Sequence, residues 1–393
     1  GNPGRISKIM EPIRIALVAG EASGDLLASH LIQALRSRLP NAKFFGIGGP
    51  KMEAAGFEAW WPAEKLAVRG YAEVLKHYRE ITGIRRKLLG RLVTEKPDLF
   101  IGVDAPDFNL WLERRLKTAG VTALHFVGPS IWAWRGRRIH AIARSVSRML
   151  VLFPFEPELY ERQHIPVTYV GHPLADTIPL DIDRQAARER IGLADHGTAP
   201  LFALLPGSRQ SELHAMAGTF VETGKILFAQ FPGSLVLVPM VSRETRAIFE
   251  QALWDHGAQD LPFKMLFGHA HDALAASDAA LVASGTATLE AALFKCPMVI
   301  AYKMSPWSWR LMKRMRYQPW GGLPNILAGE FVVPEFLQQT ATAENLAQAM
   351  GNLVSDRVVQ QRIRSRFRSM HQALRQDTAS RVADAVIAEL GGA

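Results

Sequence analysis

The chain has 393 residues, 48% hydrophobic and 21% charged, with 46 Lys and Arg against 37 Asp and Glu. That size and balance suggest two or three domains with sizeable cores and exclude a disordered chain. The single cysteine, Cys296, excludes an intrachain disulfide and a multi-thiolate metal site.

A basic surface suits nucleic acid, anionic lipid or phosphorylated ligands. There is no paired Cys/His finger and no aromatic RNA-reading strand, so nucleic acid is not an expected partner. No uncharged apolar run reaches the roughly 18 residues that a spanning helix needs. The opening Gly1-Asn2-Pro3-Gly4 has no apolar signal core, and a cytoplasmic location is the expectation.

Residues 13–19 read as a buried strand, after which Leu27, Leu31, Leu35 and Leu39 keep the four-residue spacing of a helix face. Between them, Gly20-Glu21-Ala22-Ser23-Gly24-Asp25 allows a tight turn, with Ser23 or Asp25 able to cap the next helix. This is also where the first crossover of a doubly wound domain meets its ligand, so Glu21, Ser23 and Asp25 are candidate substrate contacts. The dinucleotide pattern Gly-x-Gly-x-x-Gly with a later acidic residue is absent, which argues against a nicotinamide dehydrogenase. Further strands are expected at 42–47, 99–103, 121–127, 149–153 and 167–170. Near-continuous apolar strands separated by helices imply a parallel sheet covered on both faces.

Gly102-Val103-Asp104-Ala105-Pro106-Asp107-Phe108-Asn109 ends one of these strands. Asp104 lies just past the apolar run, where a carboxylate suits deprotonation of a hydroxyl. Asp107 is placed to cap the next helix. Gly171-His172-Pro173 marks the junction of two domains, and His172 reads either as a cleft residue or as a hinge residue fixing backbone.

The strand–helix pattern restarts after the charged stretch 181–197, with strands expected at 201–205, 234–238, 263–267, 279–283 and 298–301. Pro206-Gly207-Ser208-Arg209 comes directly after the first of them. Gly207 and Ser208 shape a phosphate-binding turn, and Arg209 adds a forked cation that can neutralise a diphosphate. The alternative is a plain turn with Ser208 as a helix cap. Ser284-Gly285-Thr286-Ala287-Thr288-Leu289-Glu290 passes from a buried strand into a helix. Small residues there let backbone N–H groups approach a phosphate at the positive helix end, and Glu290 can accept from both ribose hydroxyls. Without a ligand the same residues make an ordinary strand-to-helix turn. Gly268 is a further candidate contact. His269 and His271 form no metal constellation with nearby carboxylates; no metal and no cofactor is expected.

Two stretches mix apolar helix spacing with cations: residues 66–92, with Tyr71, Val74, Leu75, Tyr78, Ile81, Ile84 and Leu88, and residues 303–317, with Trp307, Trp309, Leu311, Met312 and Met315. This composition suits a helix at a lipid surface, with Val68, Val74, Leu75, Ile81 and Trp307 inserting; it also suits a core-facing helix with a solvated basic face. The basic helical tail, 356–390, could pack on the first domain or against a partner chain, as in a homodimer.

In order, the motifs at 20–25 (GEASGD), 46–50 (GIGGP), 102–109 (GVDAPDFN), 130–134 (SIWAW), 171–173 (GHP), 205–209 (LPGSR), 284–290 (SGTATLE) and 323–327 (LPNIL) closely resemble the lipid-A-disaccharide synthase family. The resemblance implies an α/β GT-B fold: two Rossmann-like domains facing across a cleft, with a C-terminal helical segment. Its boundaries would be 1–175 for acceptor and membrane, 176–350 for the UDP-sugar, and 351–393 for the helices. It implies an inverting transfer from UDP-2,3-diacylglucosamine to 2,3-diacylglucosamine 1-phosphate (lipid X), giving a β-1,6-linked disaccharide 1-phosphate and UDP at the cytoplasmic face of the inner membrane. Donor contacts would fall on Arg209 and the 284–290 loop, with Asn325 helping to neutralise the diphosphate, and Asp104 would be the general base. The competing readings are a UDP-sugar 2-epimerase of the same architecture and a non-enzymatic, membrane-associated nucleotide-binding module.

Overall fold

The computed structural model describes residues 11–66, 71–128, 138–283, 285–303, 310 and 321–391. The chain forms two compact units, Gly1–Pro173 with Leu374–Ala393, and Leu174–Ala373. In the first, β1 (Arg14–Ala19), β2 (Lys43–Gly48), β3 (Phe57–Pro62), β4 (Leu99–Val103), β5 (Ala123–Phe126), β6 (Arg148–Val151) and β7 (Val167–Tyr169) form one sheet. Its order is β3-β2-β1-β4-β5-β6-β7, with every pair parallel. The chain winds outward from β1 to β3 and then restarts beside β1 with β4, so the crevice between those two strand ends is the topological switch point.

The second unit repeats the plan with β8 (Leu201–Leu205), β9 (Leu235–Met240), β10 (Phe263–Phe267), β11 (Ala279–Ala283), β12 (Met298–Tyr302) and β13 (Glu335–Leu337). The order β10-β9-β8-β11-β12-β13 is again parallel and puts the switch point between β8 and β11. Every expected strand forms, shifted at most by a few residues at its ends. The strands that periodicity missed, β3 and β13, are both sheet edges. β3 is mostly half-buried, without an alternating or continuous apolar pattern, and ends on Pro62, as an edge strand can, and β13 has only three residues.

Both sheets are covered by helices because their central strands are apolar on both faces. Ile15 to Ala19 in β1 are wholly buried, as are Leu31, Ile32 and Leu35 of the helix Ala22–Arg38. At Gly46 the backbone leaves no room for a side chain beside β1. Its φ is +137°, and an added Cβ would lie 2.1 Å from the Leu17 carbonyl oxygen.

The helix Tyr71–Glu95 corrects one expectation. Ile84, Leu88 and Leu92 belong to the core of the first unit, and Ile81 and Leu89 pack against it. Ile81, expected to insert into lipid, therefore faces protein. Tyr78 on the same helix is 68% exposed. Most of 303–317, with Trp307, falls outside the described residues, as do Val68 and 130–134. Among the described residues no helix is long and apolar enough to cross a membrane.

The tail divides between the units. In the second unit Arg366 pairs with Glu330 at 2.6 Å, and Arg368 pairs with Asp181. In the first, the helix Thr378–Gly391 packs on Ala22–Arg38, with Arg38 bound to Asp384 and Arg148 to Glu389 at 2.8 Å. His172 belongs here too: its backbone N–H donates to the Leu374 carbonyl, and burial pushes its imidazole down to about 4.

Gly46→Ala forces a methyl into the Leu17 carbonyl, and the strands can part only by breaking the ladder. Urea unfolding should show a loss of about 3 kcal/mol or more; a loss under about 1 kcal/mol would mean the strands do not approach as described.

Candidate functional site

In the first unit the switch point is polar and built in layers. Asp104 leaves β4 with φ 53°, and Ala105 comes next with φ 43°, two consecutive left-handed residues without glycine. The Asp104 N–H donates to the Phe126 carbonyl at 2.8 Å. The buried Asn109 amide donates to the Asp104 carbonyl at 2.8 Å and reaches the Val18 carbonyl, at the end of β1, at 3.4 Å. Burial raises the Asp104 carboxyl above its ordinary value, the charge of His125 opposes that rise, and Glu21 adds to it. Glu21 and Ser23 are exposed at the end of β1. A carboxyl so placed holds its proton more readily than a surface aspartate.

Two expectations in this unit are corrected. Asp25 is not free for a ligand: its buried carboxylate accepts from the N–H groups of Gly49 (3.2 Å), Lys51 (3.1 Å) and Met52 (3.0 Å), capping the short helix Pro50–Ala54. Asp107 is not the cap of the helix Pro106–Thr118, whose N-cap is Ala105; it is exposed and pairs with Arg138 at 2.7 Å.

Sequence reasoning missed the layer beneath Asp104. Glu113, one turn beyond Asn109, is wholly buried with its Oε1 2.7 Å from His125 Nδ1. His125 Nε2 donates to the Val127 carbonyl at 3.1 Å. Gly102 is obligatory here, because a Cβ would lie 2.1 Å from Glu113 Oε1. The available signal was helical spacing: Asn109 and Glu113, four apart, share a helix face.

In the second unit, Gly207 (φ +124°), Ser208 and Arg209 lie just past β8 and lead into the helix Gln210–Gln230. Ser208 and Arg209 are exposed, and Arg209 reaches Glu212 only at 4.0 Å, so its guanidinium is available. No side chain caps this helix, Ser208 included. Beside it, past β11, the helix Thr286–Leu293 starts from Gly285 (φ +110°), again without a side-chain cap. Its first N–H groups have no acceptor within the helix. Gly285 and Thr286 are exposed, Ala287 is half-buried, and the buried Thr288 returns its hydroxyl to the Gly285 carbonyl at 2.8 Å. Ser284 lies outside the described residues. Glu290 is half-buried, with Oε2 2.9 Å from His271 Nε2, and that hydrogen bond raises the imidazole above its ordinary value. Gly268 (φ +75°) is exposed after β10. Thus Gly207, Ser208 and Arg209 follow β8, and Gly285, Thr286 and Glu290 follow β11, the two strands on either side of the switch point.

Asn325 does not join them as a diphosphate contact. It is fully buried; its Nδ2 donates to the Val333 carbonyl (3.0 Å) and Glu335 (2.9 Å), and its Oδ1 accepts from the N–H groups of Val332 (2.8 Å) and Val333 (3.1 Å). No hydrogen-bonding position is left for a ligand. Glu335 also accepts from the Gly321 and Gly322 N–H groups, so the pair ties this loop to β13. Among the described residues no group of three or more His, Cys, Asp or Glu side chains could hold a metal ion.

A family model described as lipid-A-disaccharide synthetase matches residues 15–388. The chain belongs to the lipid-A-disaccharide synthase family. It is 60% identical over 377 residues to the lipid-A-disaccharide synthase of Dechloromonas aromatica, covering 95% of this chain and 98% of that one. With the synthase of an Azoarcus species it shares 60% over 374 residues, 95% of each chain. Membership makes the protein an enzyme, a glycosyltransferase. Among solved structures, the calicheamicin glycosyltransferase CalG4 superposes with a TM-score of 0.59 at 14% identity, covering 97% of this chain and 99% of that one. A putative UDP-N-acetylglucosamine 2-epimerase from Listeria monocytogenes gives 0.62 at 11%, covering 97% and 96%. At such identities these likenesses show the fold alone, which is of the GT-B glycosyltransferase class.

Asn325→Ala removes the acceptor of two buried N–H groups. Urea unfolding should show a loss of about 2–4 kcal/mol, and UDP affinity of the folded protein should stay within a few-fold. Unchanged stability with weakened UDP binding would return Asn325 to the ligand.

Proposed function

We propose that the reaction is transfer of 2,3-diacylglucosamine from its UDP derivative to the 6-hydroxyl of lipid X, with inversion at the anomeric carbon and release of UDP. The close match to lipid-A-disaccharide synthases along nearly the whole chain carries this reading. In it the first unit takes the acceptor, with Glu21 and Ser23 as contacts, and the second takes the donor.

Asp104 removes the proton of the acceptor hydroxyl as the oxygen attacks the anomeric carbon. The bond from that carbon to the diphosphate breaks on the opposite side. Charge gathers on the leaving UDP, where Arg209, the turn Gly207-Ser208, Gly268 and the N-terminus of Thr286–Leu293, with Ser284, Gly285, Ala287 and Thr288, meet it without a metal. Glu290, steadied by His271, accepts from the ribose hydroxyls. Both substrates carry acyl chains, so the enzyme works at the inner-membrane surface as a peripheral protein, through 66–92 and 303–317. Support for the first stretch is the exposed Tyr78 beside the exposed Arg79, Arg86 and Lys87. The net charge of +9 suits an anionic surface.

Release of UDP that depends on lipid X tests the reaction; conversion of the UDP-sugar to its 2-epimer without acceptor would overturn it. Asp104→Asn should lower kcat by about 10²–10⁴-fold with donor KM little changed, and an active variant would remove the assignment. The base works only when ionised, and burial raises its proton affinity. In the native enzyme kcat should therefore fall, as pH drops, at a pH above the usual carboxylate range. For the membrane, Tyr78→Asp should pellet less with anionic vesicles at an unchanged melting temperature; equal pelleting would exclude this helix.

A further inference from the structure

The buried pair beneath Asp104 takes no part in the transfer itself. Gly102 and Asp104 are two apart at the end of β4, and Gly102 is the register partner of His125 on β5. His125 therefore stands beside Gly102, and the Asp104 N–H bonds the carbonyl of Phe126, the residue after His125. From above, the helix Pro106–Thr118 lowers Asn109 and Glu113 onto the same spot: against a Cβ on Gly102, Glu113 Oε1 would lie at 2.1 Å and the Asn109 Cβ at 2.9 Å. Three elements thus meet at one glycine, under the residue assigned as base.

The protons can be placed by chemistry. The Val127 carbonyl only accepts, so His125 Nε2 carries hydrogen. Val127 is itself left-handed, with φ 67°, unusual for a β-branched residue, and that turn aims its carbonyl at the ring. A second proton must lie between Nδ1 and Glu113 Oε1, which are 2.7 Å apart. Burial alone would push the imidazole down, but Glu113 overrides it and holds His125 above its ordinary value; burial also raises the Glu113 carboxyl, which the His125 charge and hydrogen bond oppose.

We propose that Glu113 and His125 are positioning residues for Asp104: a buried carboxylate–imidazolium pair that keeps a positive charge behind the base. The charged groups acting on Asp104 are then His125 from β5 and Glu21 from the turn after β1, while Glu113 acts on His125. Of these His125 acts most strongly. Its charge offsets burial and keeps the base ionised at a pH where a neutral surrounding would protonate it. Stability alone does not account for the pair, because Glu113 Oε2 and Asn109 Oδ1 are buried acceptors without a donor among the described residues.

The inference rests on Asp104 being the base, and the test separates the two. Glu113→Gln keeps the shape but removes the carboxylate, leaving a buried imidazole that goes neutral. The acid limb of kcat should then move up by about one pH unit or more, tenfold in rate on the acid side, with recovery toward native kcat at high pH and KM for both substrates little changed. A uniform loss at every pH, or an unmoved limb, would overturn the proposal. Asp104→Asn run in parallel reports on the base itself: an active Asp104→Asn enzyme overturns both readings, whereas an inactive one with an unmoved Glu113→Gln limb overturns only this one. If Glu113→Gln does not fold, nitrogen chemical shifts of His125 in the native enzyme decide. An imidazolium at pH 7 is expected; a neutral ring would place the proton on Glu113 and end the proposal.

Discussion

At the first switch point a single side-chain amide joins the ends of two strands. Asn109 Nδ2 bonds the Asp104 carbonyl and lies within reach of the Val18 and Val103 carbonyls, near the ends of β1 and β4. Strand ends leave carbonyls without ladder partners, and burying them unpaired would cost free energy at each. One amide covers this debt and fixes where the chain turns. Because the turn is fixed, Asp104 can hold a left-handed backbone that a free loop would relax. The placement of Gly102, Glu113 and His125 has the same origin: once the helix is pinned by Asn109, its next turn drops Glu113 onto β4.

The second unit solves the same topology differently. Its switch point is not filled by buried carboxylates but carries glycines at positive φ; its two helix starts, like those of the first unit, have no side-chain cap. Uncapped N-termini are destabilising in an empty protein and useful when an anion arrives. The contrast between a packed polar crevice and an exposed glycine-rich one is what the proposed division of labour, proton acceptor in one unit and diphosphate holder in the other, would use.

Much of this was legible in the sequence, since continuous apolar strands and the residues just past their ends have a one-dimensional signature. β1, β4, β8 and β11 were readable as runs, and Asp104, Arg209 and Gly285 as polar or small residues set just beyond such runs. Contacts made by register and packing could not be read. His125 meets Glu113 only because β5 pairs with β4 in one particular register. Asn325 stood in a recognisable motif, yet its role depends on Glu335 in a three-residue edge strand too short to announce itself. Asp25 looked like a ligand or the cap of its own helix, and instead closes the start of a helix beyond the next strand. The apolar stripe of Tyr71–Glu95 has the same spacing whether it meets lipid or core, and only the neighbouring β2 and β4 residues decide.

The first unit is assembled from both termini, with the second inserted as one continuous stretch. On a ribosome, the inserted unit has all its residues before its host does. Until the last helix emerges, one face of Ala22–Arg38 stays uncovered, and Arg38 and Arg148 wait for Asp384 and Glu389. Completion of the first unit thereby waits for Leu374–Ala393, and a polypeptide cut short before them would carry an intact second unit and an unfinished first one.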